Sequence, residues 1–147
     1  MAIFCRIWGA GPSTAEQWYS QGHRSLTDLR TSAKLTSHQR VGLDLFDDLD
    51  ERMSRQEASE IEAVVASHAK TVGADVLEVT ACGSYRRGKP TCGDLDVLVT
   101  PTTPGHSDDL QGVFDRLLES MRGSGFLTHD LTVQSSGSQQ VINKIEA

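Results

Sequence analysis

An α+β fold is what this chain predicts, on three observations. Residues 1–51 carry helix caps and helical spacing with little strand character. From residue 52 onward, amphipathic helical stretches alternate with short apolar runs bounded by glycine and proline, which is a mixed pattern. The composition changes near Glu51, so the chain divides into a helical part, 1–51, and a mixed part, 52–147. With 147 residues, 37% of them apolar, each part has material for a modest core.

The elements follow in order. Ser13 or Thr14 is placed to cap a helix running to Ser20, with Gly22 just past its end. A short turn is expected from Ser25 to Ser32. Thr36 opens a longer segment in which Val41, Leu45, Leu49 and Met53 recur at four-residue spacing as a buried stripe. Ser54-Arg55-Gln56-Glu57 fits a capping box, and the helix behind it carries Ala58, Ile61, Val64, Val65 and Ala69 on one side, ending near Gly73. Val76–Ala81 reads as a strand, and a second strand carries Asp94 and Asp96. After the loop Pro101–Gly105, Ser107 caps a helix with Leu110, Val113, Phe114, Leu117, Leu118 and Met121 on its apolar face. Asp108 and Asp109 fall in its first turn, where the helix dipole favours them. Phe126–Val133 begins a further strand, and Ser135–Gln140 is loop-like.

Bulk properties exclude several classes. A net charge of −6 argues against broad electrostatic attachment to nucleic acid, leaving room for a local or backbone-mediated contact. No eighteen-residue apolar run offers a membrane span, and residues 1–6 lack a signal-peptide layout. Cys5, Cys82 and Cys92 are an odd set without CxxC spacing, consistent with reduced thiols, and Cys82 and Cys92 read as small buried hydrophobes. The five histidines show no ligand spacing. Trp8 and Trp18 read as packing residues of the helical part, and Asp47–Glu51 as a wet face.

The chemistry concentrates in Ala81-Cys82-Gly83-Ser84-Tyr85-Arg86-Arg87-Gly88 and, just after it, Gly93-Asp94-Leu95-Asp96-Val97-Leu98-Val99. Residues two apart on a strand share a face, with Cα atoms roughly 6.6–6.8 Å apart, so Asp94 and Asp96 would project together while Leu95, Val97 and Val99 enter a core. Two such carboxylates are hard oxygen ligands suited to Mg²⁺, which binds through one or two carboxylates plus substrate phosphates. The Gly83-Ser84 turn supplies backbone N–H groups and a hydroxyl for those phosphates, and Arg87 a planar fork of donors. Together they describe a site for a metal-bound triphosphate. Near the N-terminus, Ile7-Trp8-Gly9-Ala10-Gly11-Pro12-Ser13-Thr14 places two glycines in a tight turn ahead of a helix. Such a turn suits one nucleic-acid phosphate without a basic side chain; an ordinary connection between helices is the competing reading.

GSYRRG followed by GDLDV resembles the palm motif of family X DNA polymerases, and WGAGPSTAEQWY resembles the second helix-hairpin-helix that precedes it there. The likeness runs from about Phe4 to Gln140. It implies a helix-hairpin-helix fingers subdomain, 1–51, followed by an incomplete nucleotidyltransferase palm, 52–147. It further implies a nuclear, monomeric enzyme of DNA repair that transfers nucleotides from dNTP to a primer 3′-hydroxyl on gapped or primer-template DNA, in gap filling, base excision repair and end joining. Carried over by position, Asp94 and Asp96 would be the catalytic acids and would bind Mg²⁺ or Mn²⁺. Gly83, Ser84, Arg87, Gly93 and Arg55 would hold the nucleotide. Gly9, Ala10 and Gly11, with Ser13 and Thr14, would grip the DNA backbone, with room for a monovalent cation. Arg86 would serve as a structural ion-pair partner.

The family's third aspartate lies on a later strand in an Arg-Leu-Asp-Ile-like context that does not occur here, and Ser54 stands where the family has proline. Val141–Ala147 does not continue the pattern and reads as an artificial or spliced end. This leaves two rival expectations: a non-catalytic DNA-binding segment, and a nucleotidyltransferase of terminal or RNA-tailing type.

Overall fold

The computed structural model describes residues 2–72, 77–102, 110–131 and 143–145. They fall into two compact units, one built on Met1–Glu51 with His129–Asn143, the other on Arg52–Thr128 with Lys144–Ala147. The expected helix end at Gly73, strand start at Val76, most of the Pro101–Gly105 loop, the Ser107 cap, Asp108, Asp109 and Ser135–Gln140 lie outside the described residues.

The first unit is helical. A 3-10 turn, Phe4–Arg6, precedes α1 (Pro12–Ser20), α2 (Leu26–Ser32) and α3 (Ser37–Asp44). Its core gathers Phe4, Ile7, Ala10, Ala15, Trp18, Leu29, Leu43 and Phe46. Phe4 meets Trp18 edge-on, 6.0 Å between centroids at 87°, the arrangement ring quadrupoles favour. Full burial of a side chain such as Phe4 or Leu29 contributes about 1.5–3 kcal/mol.

Three expectations are corrected here. Neither Ser13 nor Thr14 caps α1: Pro12 opens the helix, where its missing N–H costs nothing, and Gly11 holds the cap position. Ser25–Ser32 is a helix rather than a turn, because Ser25 and Asp28 form a reciprocal capping box. The stripe from Val41 to Met53 is broken: α3 ends at Asp44, and Met53 lies in a strand. Leu43 and Phe46 enter the core cluster instead.

The second unit is mixed. β1 (Met53–Ser54) leads into α4 (Arg55–Thr71), followed by β2 (Leu77–Ala81), a four-residue helix α5 (Gly83–Arg86), β3 (Thr91–Cys92), β4 (Val97–Pro101) and α6 (Leu110–Gly123). β1 pairs antiparallel with β3, and β2 pairs antiparallel with β4 in the register Ala81↔Val97. A third pair joins β5 (Leu127–Asp130) to β6 (Asn143–Ile145). The α4 capping box forms as its sequence predicts, Glu57 N–H donating to Ser54 Oγ at 3.1 Å. Ala58, Ile61, Val65 and Ala69 are buried from α4, and Leu117, Leu118 and Met121 from α6. No helix among the described residues is long and apolar enough to cross a membrane.

Candidate active site

Asp94 and Asp96 are not within a strand: the β4 ladder begins at Val97, one residue beyond Asp96. The register carries one bond further, Cys82 N–H donating to the Asp96 carbonyl at 2.7 Å, before the pairing ends. Alternation survives the irregular backbone. Asp94 and Asp96 are exposed, whereas Leu95, Val97 and Val99 are half-buried. The carboxylates are therefore available to solvent, as a metal-binding role needs.

The glycine turn lies against one of them. Gly83 has φ +59°, and a Cβ built on it would sit 2.5 Å from Asp96 Oδ2. A side chain there would meet left-handed backbone strain and would also have to displace the Asp96 carboxylate. Beside it, the Ser84 hydroxyl oxygen is buried and has no hydrogen-bond partner among the described residues. A buried hydroxyl without a partner costs about 1–3 kcal/mol, so this corner leaves a hydrogen-bonding group open. The turn itself has no side-chain cap, and its amides continue into Arg86 N–H to Cys82 O (3.2 Å) and Arg87 N–H to Gly83 O (3.3 Å).

The arginines divide their labour. Arg87 is exposed, and its guanidinium finds no partner among the described residues, so its donors are free. Arg55 is committed to the turn: Nη1 donates to the carbonyls of Tyr85 (2.8 Å) and Lys89 (3.1 Å), and the guanidinium lies 4.5 Å from the Tyr85 ring centroid. Arg55 thus braces the Gly83–Gly88 loop. Arg86, expected as an ion-pair partner, forms no such pair among the described residues. Gly93 is exposed, with only Arg52 Nη1 near its open face, 3.2 Å from a built Cβ.

The hairpin places its residues on two sides. Gly9 (φ +78°) and Gly11 are exposed, and Gly11 precedes the uncapped N-terminus of α1. Ser13 and Thr14 occupy its first turn. Ala10 is 8% exposed and faces the core, and its N–H is spent on Ile7 O at 3.0 Å. The outward contribution therefore comes from Gly9, Gly11 and the first turn of α1.

Sequence reasoning missed what holds the hairpin. Buried Gln39 sends Nε2 to Gly9 O at 3.2 Å, while its other bonds close the Thr36 capping box. Gly42 lets α3 pass so close that a built Cβ would fall 2.7 Å from Trp8 Cβ and 2.8 Å from Trp8 N. A glycine within a helical pattern was the available signal, since such a residue commonly has a packing reason.

One unit thus presents a glycine hairpin and the other, of α+β class, a glycine–carboxylate corner. Residues 2–50 match the fingers domain of DNA polymerase lambda, and residues 52–142 match the DNA polymerase beta palm. The chain belongs to this lambda/beta group, the family X DNA polymerases. It is 50% identical over 141 residues to DNA polymerase lambda of Rattus norvegicus, covering 95% of this chain and 24% of the relative. It is 39% identical to DNA polymerase lambda of Arabidopsis thaliana, covering 89% of this chain and 24% of that relative. A DNA nucleotidylexotransferase of Monodelphis domestica is 35% identical, with 81% of this chain and 22% of the relative covered. The chain thus spans about a quarter of the length of the curated relatives it matches.

Proposed function

We propose that this chain carries the DNA-gripping hairpin and the nucleotide-holding half of the palm of a template-directed, nuclear repair polymerase. Its work would be gap filling in base excision repair and end joining. The observation that carries this reading is the corner where Gly83, Ser84 and Asp96 meet, with a buried hydroxyl that lacks a partner among the described residues.

The donor set suits Mg²⁺ or Mn²⁺: two exposed carboxylates, Asp94 and Asp96, leave further coordination positions to water and phosphate oxygens. Among the described residues no third His, Cys, Asp or Glu joins them. When bound, divalent metal in such sites neutralises triphosphate charge and favours attack by the primer 3′-hydroxyl. Ser84 donates its hydroxyl proton to a phosphate oxygen, which satisfies the orphaned group. Arg87 offers its free fork to the same triphosphate, and the backbone at Gly83 and Gly93 presents N–H groups to it. Arg55 acts one step back, holding the carbonyls on the far side of the turn. At the other unit, the N–H groups of Gly9 and Gly11 and the first turn of α1 would receive a DNA phosphate, and a monovalent cation held at the hairpin would supply further positive charge to it.

Two assays test this reading. Titrating Mg²⁺ and a dNTP into the purified chain should show weak, metal-dependent binding that Asp94→Ala with Asp96→Ala abolishes; binding that survives both substitutions contradicts the site. Primer extension by the 147-residue chain should be absent, since among the described residues no third carboxylate joins Asp94 and Asp96. The same two-carboxylate set favours a second reading, a DNA-holding segment without turnover. DNA affinity unchanged by Asp94→Ala, together with no nucleotide binding, would select it. Template-independent incorporation would instead point to the terminal-transferase type.

A further inference from the structure

The segment from Gly93 to Asp96 is pinned at both ends, and one pin is a residue that the reading above leaves without a role. At the far end, Cys82 N–H holds the Asp96 carbonyl at 2.7 Å. At the near end, Arg52 grips Thr91 twice: Nε donates to Oγ1 at 2.9 Å and Nη2 to the backbone carbonyl at 2.8 Å. The third guanidinium nitrogen, Nη1, lies over Gly93, 3.2 Å from the place a Cβ would take. Between these contacts Cys92 is fully buried and pairs with Met53 across β1 and β3. The backbone therefore enters Gly93 from a position fixed by side-chain burial, strand pairing and a two-pronged arginine clamp.

We propose that Arg52 is a positioning residue for the nucleotide site, setting where Gly93 and Asp94 are presented. The proposal rests on the nucleotide-site reading for its consequence, though not for its geometry. It also accounts for the glycine at 93. Gly93 is not among the positive-φ glycines, so backbone conformation does not require it. The Arg52 guanidinium packs tightly against its open face, so a side chain at 93 would push Nη1 aside by a few tenths of an ångström. Arginine is suited to this task because its planar fork reaches two acceptors at once while the remaining nitrogen stays in plane, which a lysine ammonium cannot reproduce. Because Arg52 and Thr91 are both exposed, their bonds add little to global stability. Their effect should fall on placement, where a small displacement of a liganding group carries a large functional penalty.

The test compares wild type with Arg52→Gln, Arg52→Lys and Gly93→Ala, and reads two quantities. The first is the set of backbone amide shifts in the ligand-free chain. Arg52→Gln should move the Gly93 and Asp94 resonances while those of α4 and α6 stay in place; unmoved Gly93 and Asp94 resonances overturn the proposal. The second is Mg²⁺–dCTP affinity, which should fall about fivefold to tenfold in both Arg52→Gln and Arg52→Lys with little change in melting temperature. Full affinity in Arg52→Lys would make charge rather than the fork the cause, and would overturn it. A loss of melting temperature with affinity retained would reduce Arg52 to a strand clip, and would also overturn it. Gly93→Ala should lower affinity in wild type and add little in the Arg52→Gln background; equal losses in both backgrounds contradict the contact between them. Absence of any Mg²⁺–dCTP binding by wild type would instead defeat the nucleotide-site reading, leaving the amide shifts to decide the role of Arg52.

Discussion

The hairpin at Gly9 and the corner at Gly83 both use left-handed glycines to bring backbone amides to the surface, yet they are secured by different means. Neutral packing holds the hairpin: Gln39 bonds the Gly9 carbonyl, Gly42 admits α3 against Trp8, and Ala10 anchors the turn in the core. Around the second corner the braces are cationic. Arg55 clamps two carbonyl oxygens of the loop and Arg52 two oxygens of Thr91 in β3, and Asp96 lies against Gly83. A site for one phosphate can be close-packed and uncharged. One for a metal-chelated triphosphate needs exposed acids, and exposed acids leave little apolar material to fix the backbone nearby, so arginine forks take over. If this contrast is right, packing substitutions should damage the hairpin unit and charge substitutions the other.

The largest effect is expected from Gly42→Ala. Its new methyl group would overlap Trp8, and overpacking of this kind costs about 1–3 kcal/mol. Urea unfolding should show the loss, DNA binding should weaken, and Mg²⁺–nucleotide binding should persist. Next comes Gln39→Ala, which removes the Thr36 cap partner and strands the Gly9 carbonyl, at about 1–2 kcal/mol. It should lower DNA affinity without altering nucleotide affinity, as read by anisotropy and by titration. Arg55→Gln is its mirror image: the carbonyls of Tyr85 and Lys89 lose their donor in an exposed setting, at about 1 kcal/mol. Nucleotide affinity should drop while DNA affinity holds. Any of the three that weakened both activities equally would break the comparison.

The smallest effect concerns pH. Asp28 in the hairpin unit is held below the ordinary carboxylate range, first by the Arg24 N–H and then by the hydroxyl and N–H of Ser25. A lowered folded-state value means the stabilisation is complete above the unfolded value near 4 and is lost as pH falls through the folded one. Asp28→Asn should therefore remove a little of the acid-side decline in melting temperature and leave neutral-pH behaviour of the second unit untouched.

How far the sequence reached depended on the distance over which each cause acts. α4 and α6 were legible because caps and apolar spacing are local: Ser54 and Glu57 are three residues apart, as are Leu118 and Met121. The face shared by Asp94 and Asp96 was legible from alternation alone, although the ladder proper starts later. The α2 helix was missed because its box uses Asp28 in place of the commoner glutamate, and its seven residues carry little periodic signal. Arg52, Gln39 and Gly42 were invisible for a different reason. Their partners lie 39, 30 and 34 residues away in the chain, so only folding brings cause and effect together.

The central claim is that the Gly83–Ser84 turn and the Asp94–Asp96 segment act on one metal-chelated nucleotide. Paramagnetic broadening by Mn²⁺ tests it most directly, with amide signals followed before and after a dNTP is added. The account predicts that the nucleotide makes the Gly83, Ser84, Gly93 and Asp96 signals broaden together at low Mn²⁺, and that Asp96→Ala removes the effect from both stretches. Broadening confined to the acids, with Gly83 and Ser84 unaffected by nucleotide, would contradict it.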